Sequence, residues 1–292
     1  MLSIENEFLK ISVQKTGAEL CSVLDKSTNQ EYMWSGDAAV WGSFAPVLFP
    51  IIGCLKDNEF LVDGQSYSVP KHGFIRNNID LEAAILNKNT IEFRYKYDEN
   101  TLKNYPYLFE FVLQYVLEGR TIHVEHTIIN HHEDKPMYFS LGGHPGFKCP
   151  FFEGEKYEDY FIEFEQIEND STWKVTADGL IDVSAVSCLE NTNRLQLHPL
   201  IFQNDALIFK NLKSRKATLK THAHTLGVEL SFADFNYLGI WAKPNAPFVC
   251  IEPWLGISDS VNTTKDFTQK EGIQRMEAGK QANFIYSIRL LV

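Results

Sequence analysis

The sequence predicts an all-β fold of two large antiparallel sheets packed face to face, and three observations predict it. Apolar and polar residues alternate with period two through most of the chain, as in TIEFRYKY at 90–97. β-Branched and aromatic residues fill these runs, and Gly, Pro, Asn and Asp separate them. Helical periodicity is nearly absent. Of the 292 residues 44% are hydrophobic and 13% aromatic, ample for a large buried core and far from a disordered composition. No linker, low-complexity segment or repeat of about 20–50 residues interrupts the strands, so residues 1–292 read as a single domain.

In chain order, EFLVDGQSYSV at 59–69 is a pair of short strands around an Asp63-Gly64 turn, a strong hairpin signal. TIEFRYKY alternates, and the run at 109–129 is a long hairpin that turns at Glu118-Gly119-Arg120. Met137 to Leu141 is aromatic and apolar and reads as a buried strand, which the chain leaves just before His144 in LGGHPGF. Further strands follow in YFIEFE, DALIFKNL, KATLKT, LGVELSF, YLGIWAK, FVCIEPW and ANFIYSIRLLV. The acidic stretch at 151–170 reads as a solvated face.

The net charge of −11 argues against nucleic acid and anionic membranes as partners, because both reward clustered Lys and Arg. Five cysteines at 21, 54, 149, 188 and 250 form no CxxC pair, so a reducing compartment is the simpler reading than a disulfide framework or a zinc site. The N-terminus lacks a basic region followed by an apolar core, and no apolar run approaches the ~18 residues of a membrane helix, so a cytoplasmic protein is expected. His222/His224 and the His131-His132-Glu133 cluster lack a third ligand at convincing spacing, and no metal or other cofactor is expected.

Three segments put polar groups where apolar strands end. PKHGFIRN carries His72 and Arg76, GGHPGF carries His144, and FVCIEPWLG carries Glu252. A carboxylate in so apolar a setting has its ionised form desolvated and its pKa raised unless partners offset this, which suits proton transfer. Taken singly, each residue also fits a plainer role: His72 and His144 as turn histidines, Arg76 as a surface cation, Glu252 as an edge-strand carboxylate facing water. Trp241 and Trp254 offer flat faces to a sugar but equally suit a core.

Together these segments resemble the aldose 1-epimerase (galactose mutarotase-like) superfamily, and within it the LacX-type branch. The resemblance runs along the chain in order: APVLFPIIG at 45–53, PKHGFIR at 70–76, FSLGGHPGF at 139–147, NDALIF at 204–209 and CIEPWLGISD at 250–259. It implies a β-supersandwich with an open sugar cleft across one sheet, and interconversion of the α and β anomers of an aldohexose or related sugar. It further implies His144 as general acid, Glu252 as general base, and His72, Arg76 and Asp205 as sugar-binding residues. At its ordinary pKa of about 6.5 His144 would be usefully protonated near neutrality, more so beside a carboxylate.

One departure from the resemblance bears on substrate. Relatives usually carry arginine after the FPxxG glycine, where this chain has Cys54, and the arginine that hexose-6-phosphate epimerases use near Ser43-Phe44 is also missing. Neutral aldoses are therefore favoured over phosphosugars, unless Lys71 or Lys243 lines the cleft, and Cys54 reads as a small filler. The alternatives are a hexose-6-phosphate 1-epimerase, a glycosidase or lyase, and a non-catalytic sugar-binding or sensing protein, with a monomer or weak homodimer as the oligomeric expectation.

Overall fold

The computed structural model describes residues 1–292, and strands dominate it. Four N-terminal strands, Leu2–Glu5, Leu9–Val13, Leu20–Asp25 and Gln30–Glu31, pair antiparallel in chain order. The main sheet has fifteen strands. Its hydrogen-bonded path runs from Val47–Leu48 through Leu141–Gly143, Phe248–Leu255, Tyr237–Trp241, Leu207–Phe209 and Tyr160–Val175 to Lys216–Thr221 and Gly227–Ser231. It continues through Gln281–Leu291, Thr121–Asn130, Phe109–Glu118 and Thr90–Lys96 to Glu82–Asn87. The two wings of this path face each other across the core, so the expected pair of facing layers is made largely by one continuous ladder. Phe49, beside the first strand, packs against Phe109 and Phe111 of the opposite wing with ring centroids 5.4 and 5.3 Å apart.

Where the sheet has one dry face, the alternation is visible in burial: along Thr121–Asn130 every second residue is buried. The hairpins expected at Asp63-Gly64 and Gly119-Arg120 are present, with Val62 paired to Gln65 and Glu118 to Thr121. One apolar cluster of 66 buried residues extends from Ile4 to Leu290. The single α-helix, Glu99–Asn104, is held by an Asp98 capping box.

Two stretches differ from the sequence reading. The strand expected at YFIEFE continues to Val175 and pairs with a second strand of equal length, Ile181–Gln196, whose Ser, Thr and Asn residues hide the pattern because it pairs with one neighbour only and much of it faces water. The acidic stretch is not wholly solvated. Glu168 is buried and accepts from the Lys213 and Ser214 amides and the Ser214 hydroxyl, while Asp170 accepts from the Asn211 amide, so these carboxylates organise the turn at 211–214.

The wings approach closely at Gly143, where an added Cβ would stand 2.5 Å from the Tyr286 hydroxyl oxygen. Gly143→Ala is expected to destabilise the protein by about 1–3 kcal/mol through overpacking. Tyr286→Phe in the same chain should recover part of that loss in thermal denaturation, and a Gly143→Ala variant with unchanged Tm would contradict this packing.

Candidate active site

Every residue of strand Phe248–Leu255 is buried, because the strand is covered on both faces. Side chains alternate along it, so Cys250, Glu252 and Trp254 share one face. The registers Gly142↔Trp254 and Gly146↔Cys250 bracket Glu252 and leave His144 directly across from it. His144 Nε2 lies 3.2 Å from Glu252 Oε2. The ladder opens at this point, where the His144 amide instead donates to the Pro46 carbonyl at 3.0 Å.

The glycines around His144 make room for rings. Added Cβ atoms would stand 2.8 Å from Trp254 at Gly142 and 2.8 Å from Trp41 at Gly146. Trp41 lies obliquely over the His144 imidazole with centroids 5.1 Å apart, and Trp241 meets its edge at 5.6 Å. Histidine 144 is thus held in an aromatic box.

His72 arrives on a separate segment, its ring 5.8 Å from that of His144. Its amide donates to the Gly53 carbonyl at 2.9 Å and its Nδ1 accepts from the Gly53 amide at 3.1 Å. An accepting Nδ1 puts the neutral ring's proton on Nε2, which makes that nitrogen a donor. The turn depends on Gly73, whose φ is 76° and whose Cβ would stand 2.0 Å from the Phe49 carbonyl oxygen. Arg76 follows, half-buried and without an ion pair, its charge favoured by Glu19 and Glu252 against the cost of burial. Asp205 sits exposed on the rim with φ 83°, its carboxylate accepting from the Ala206 amide at 2.7 Å.

Together His72, Arg76, His144, Asp205 and Glu252 line one cavity of about 440 Å³, closed by Trp41, Trp241 and Trp254 and by Ile181 and Ile208. Burial pushes the Glu252 carboxyl well above its ordinary range, with Asp205 adding to the rise and Lys71 opposing it. Burial, and next the Arg76 charge, push His144 down to about 3. This corrects the expectation that a near-ordinary His144 is partly protonated at neutrality. Burial thus favours the uncharged form of both groups.

The aldose 1-epimerase family model matches residues 1–270 of this chain. The chain belongs to the aldose 1-epimerase family. It is 34% identical over 301 aligned residues to the protein LacX of Lactococcus lactis subsp. lactis, with 99% of each sequence covered. A galactose mutarotase related enzyme from Lactobacillus acidophilus superposes with a TM-score of 0.93 at 33% identity, covering 99% of this chain and 96% of that one. A galactose mutarotase-like protein from Lactobacillus casei does so at 0.92 and 28%, covering 99% of both chains.

In this aldose 1-epimerase family member all five residues singled out from the sequence meet at one cavity, and both tryptophans serve as its walls as well as packing. One lining residue carries no clear sequence signal of its own: Trp41 lies in a Gly- and Ala-rich loop without alternation. Of the two lysines named from the sequence as alternatives for the cleft, Lys71 lines it. Lys243 is directed elsewhere, donating to the Val40 carbonyl at 2.7 Å. Cys54 does not line the cavity; its Sγ lies where a Cβ on Gly179 would come within 2.7 Å. The four histidines of the two sequence clusters have their own partners: His131 with Glu110 at 2.7 Å, His132 with the Leu108 amide at 3.0 Å, His222 with Arg194 at 3.1 Å and His224 with Glu155 at 3.2 Å. No helix is long and apolar enough to cross a membrane.

The cavity wall is tied by Ser258 and Asp259. The Ser258 hydroxyl accepts from the Cys54 amide and donates to the Gly179 carbonyl at 2.5 Å, while Asp259 accepts from the Lys56 amide at 3.0 Å. The other Asp259 oxygen takes the Lys270 ammonium at 2.5 Å, with both side chains almost fully buried. Lys270→Met strips the cation from a buried carboxylate and is expected to cost about 3–5 kcal/mol. A denaturant-unfolding shift within ~0.5 kcal/mol of the parent would show that the pair does not hold this wall.

Proposed function

We propose that the chain, acting as a single domain, is an aldose 1-epimerase that interconverts the α and β anomers of an aldohexose or related sugar by acid–base ring opening and closure. The observation that carries this reading is the His144–Glu252 juxtaposition of 3.2 Å on the wall of a sugar-sized cavity. Anomer exchange removes a proton from the C1 hydroxyl, delivers one to the ring oxygen, opens the ring, rotates about C1–C2 and reverses these steps. It moves protons only, and no metal or redox cofactor is called for.

Glu252 acts as base and His144 as acid. Moving the shared proton across from Glu252 to His144 produces the carboxylate–imidazolium form without changing the net proton count. A bound sugar supports that form, since its hydroxyls supply a hydrogen bond to His144 Nδ1, which is buried and unsatisfied in the free protein. Trp41 over the imidazole favours the cation further. The His72 Nε2–H and the Arg76 guanidinium are placed to hold sugar hydroxyls and to stabilise negative charge on oxygen during opening. Asp205 on the rim would accept from a hydroxyl.

Glu252→Gln and His144→Asn are each expected to lower kcat by about 10²–10⁴, with the double variant little worse than the poorer single one, because both act in one proton-transfer process. Polarimetry of freshly dissolved α-glucose and α-galactose reads this. A folded His144→Asn variant that keeps most of the rate would remove the acid from the scheme and leave His144 a turn-shaping residue.

A second reading, a hexose-6-phosphate 1-epimerase, gains support from Lys71, because Lys71 and Arg76 both line the cavity without an ion pair. Neither is bidentately positioned by a carboxylate, and the Asp205 carboxylate on the rim opposes a dianion, so neutral aldoses are expected to be turned over at least as well as their 6-phosphates. A kcat/KM for glucose 6-phosphate about a hundredfold above that for glucose would reverse this choice and assign Lys71 and Arg76 to the phosphate.

A further inference from the structure

Cys250 is buried two residues before Glu252 on the same face of the same strand, and the acid–base scheme does not use it. Ligand atoms of His144, Cys250 and Glu252 all lie within 4.8 Å of one another. All three side chains are buried, and His144 Nδ1 and Glu252 Oε2 are among the buried polar atoms left without a well-aligned hydrogen-bond partner. Buried polar groups normally have partners. Sugar hydroxyls account for the imidazole and the carboxylate, but not for a thiol aligned with both.

We propose that His144, Cys250 and Glu252 form an inhibitory site for a thiophilic divalent cation, Zn²⁺ or Cd²⁺, with the fourth position open to water from the cavity. A nitrogen, a thiolate and a carboxylate are the donors zinc prefers, at bond lengths of about 2.0–2.3 Å. A tetrahedral ion with those bonds spaces its ligands by about 3.3–3.7 Å, so the present cluster needs to close by up to about 1.5 Å through side-chain torsions. Binding is a proton exchange: the metal forms bonds to sulfur, oxygen and nitrogen, and the thiol and carboxyl protons leave to solvent. No electron is transferred. The bound ion occupies the two groups that move protons, so the binding half stands on the strand geometry alone, while the inhibition half rests on the mutarotase reading.

The test is titration of the metal-free chain with CdCl₂, read by the ultraviolet thiolate-to-cadmium band, alongside polarimetry with ZnCl₂. The expected result is a band that saturates at one equivalent, retained in Cys54→Ser, together with loss of mutarotation over the same zinc range and recovery with a chelator. Cys250→Ser should lose the band, keep the metal-free rate and need at least about 10–100 times more zinc for the same inhibition, the loss typical of removing even an outer partner of a ligand. Should that variant fail to fold, Glu252→Gln keeps the thiol and must still weaken cadmium binding by a similar factor. A wild-type chain without the band, or a Cys250→Ser chain with the same band and affinity, overturns the site. Metal bound at the site with mutarotation undiminished overturns its inhibitory role. Because the titration contains no sugar, it decides the site even if the chain has no mutarotase activity.

Discussion

The arrangement depends on one costly placement: a carboxyl, Glu252, on a strand whose every residue is buried. An ionised carboxylate there, without hydrogen-bond partners, would cost several kcal/mol, so the group keeps its proton until something compensates. The neighbours decide what can. Across the ladder the imidazole of His144 is itself held neutral by burial, and the charges that reach the pair, Lys71 and Arg76, favour a carboxylate while disfavouring an imidazolium. Burial therefore favours an uncharged pair in the free protein, which under the proposed mechanism a ligand rich in hydroxyls converts to its charged form.

The rest of the local structure serves that pair. Glycines at 142, 143 and 146 admit Trp254, Tyr286 and Trp41, and Trp41 with Trp241 packs against the His144 imidazole. His72 is fixed in ring orientation and tautomer by both polar groups of Gly53, which lets it donate into the cavity. Ser258, Asp259 and Lys270 tie the 54–56 segment and the 179–181 turn to the end of the Glu252 strand, so the wall moves with the carboxyl it encloses.

Much of this is legible in the sequence, and the limits have physical causes. Period-two alternation exposes strands with one wet face, such as Thr121–Asn130, and misses Ile181–Gln196, where polar residues on an edge strand leave little contrast. His144 and Glu252 stand out because each is a polar residue that follows an apolar run beside Gly or Pro, and His72 and Arg76 because they flank the Gly73 turn, a local signal. That His144 and Glu252 oppose each other is not local: it follows from the register of Gly142 and Gly146 on either side. The His144 pKa is misjudged from sequence for the same reason, since a nearby carboxylate suggests a raised value whereas burial and Arg76 prevail. Trp41 acquires meaning only when separate loops converge on the cavity.

The central claim is that the free protein holds Glu252 protonated beside a neutral His144 and that sugar binding moves this proton. Infrared difference spectroscopy between the wild-type chain and Glu252→Gln at neutral pH observes it directly. A protonated-carboxyl C=O band is expected that is present in the wild type, absent in the variant and diminished when galactose or glucose saturates the cavity. A free protein with no such band, its Glu252 already ionised, would contradict it.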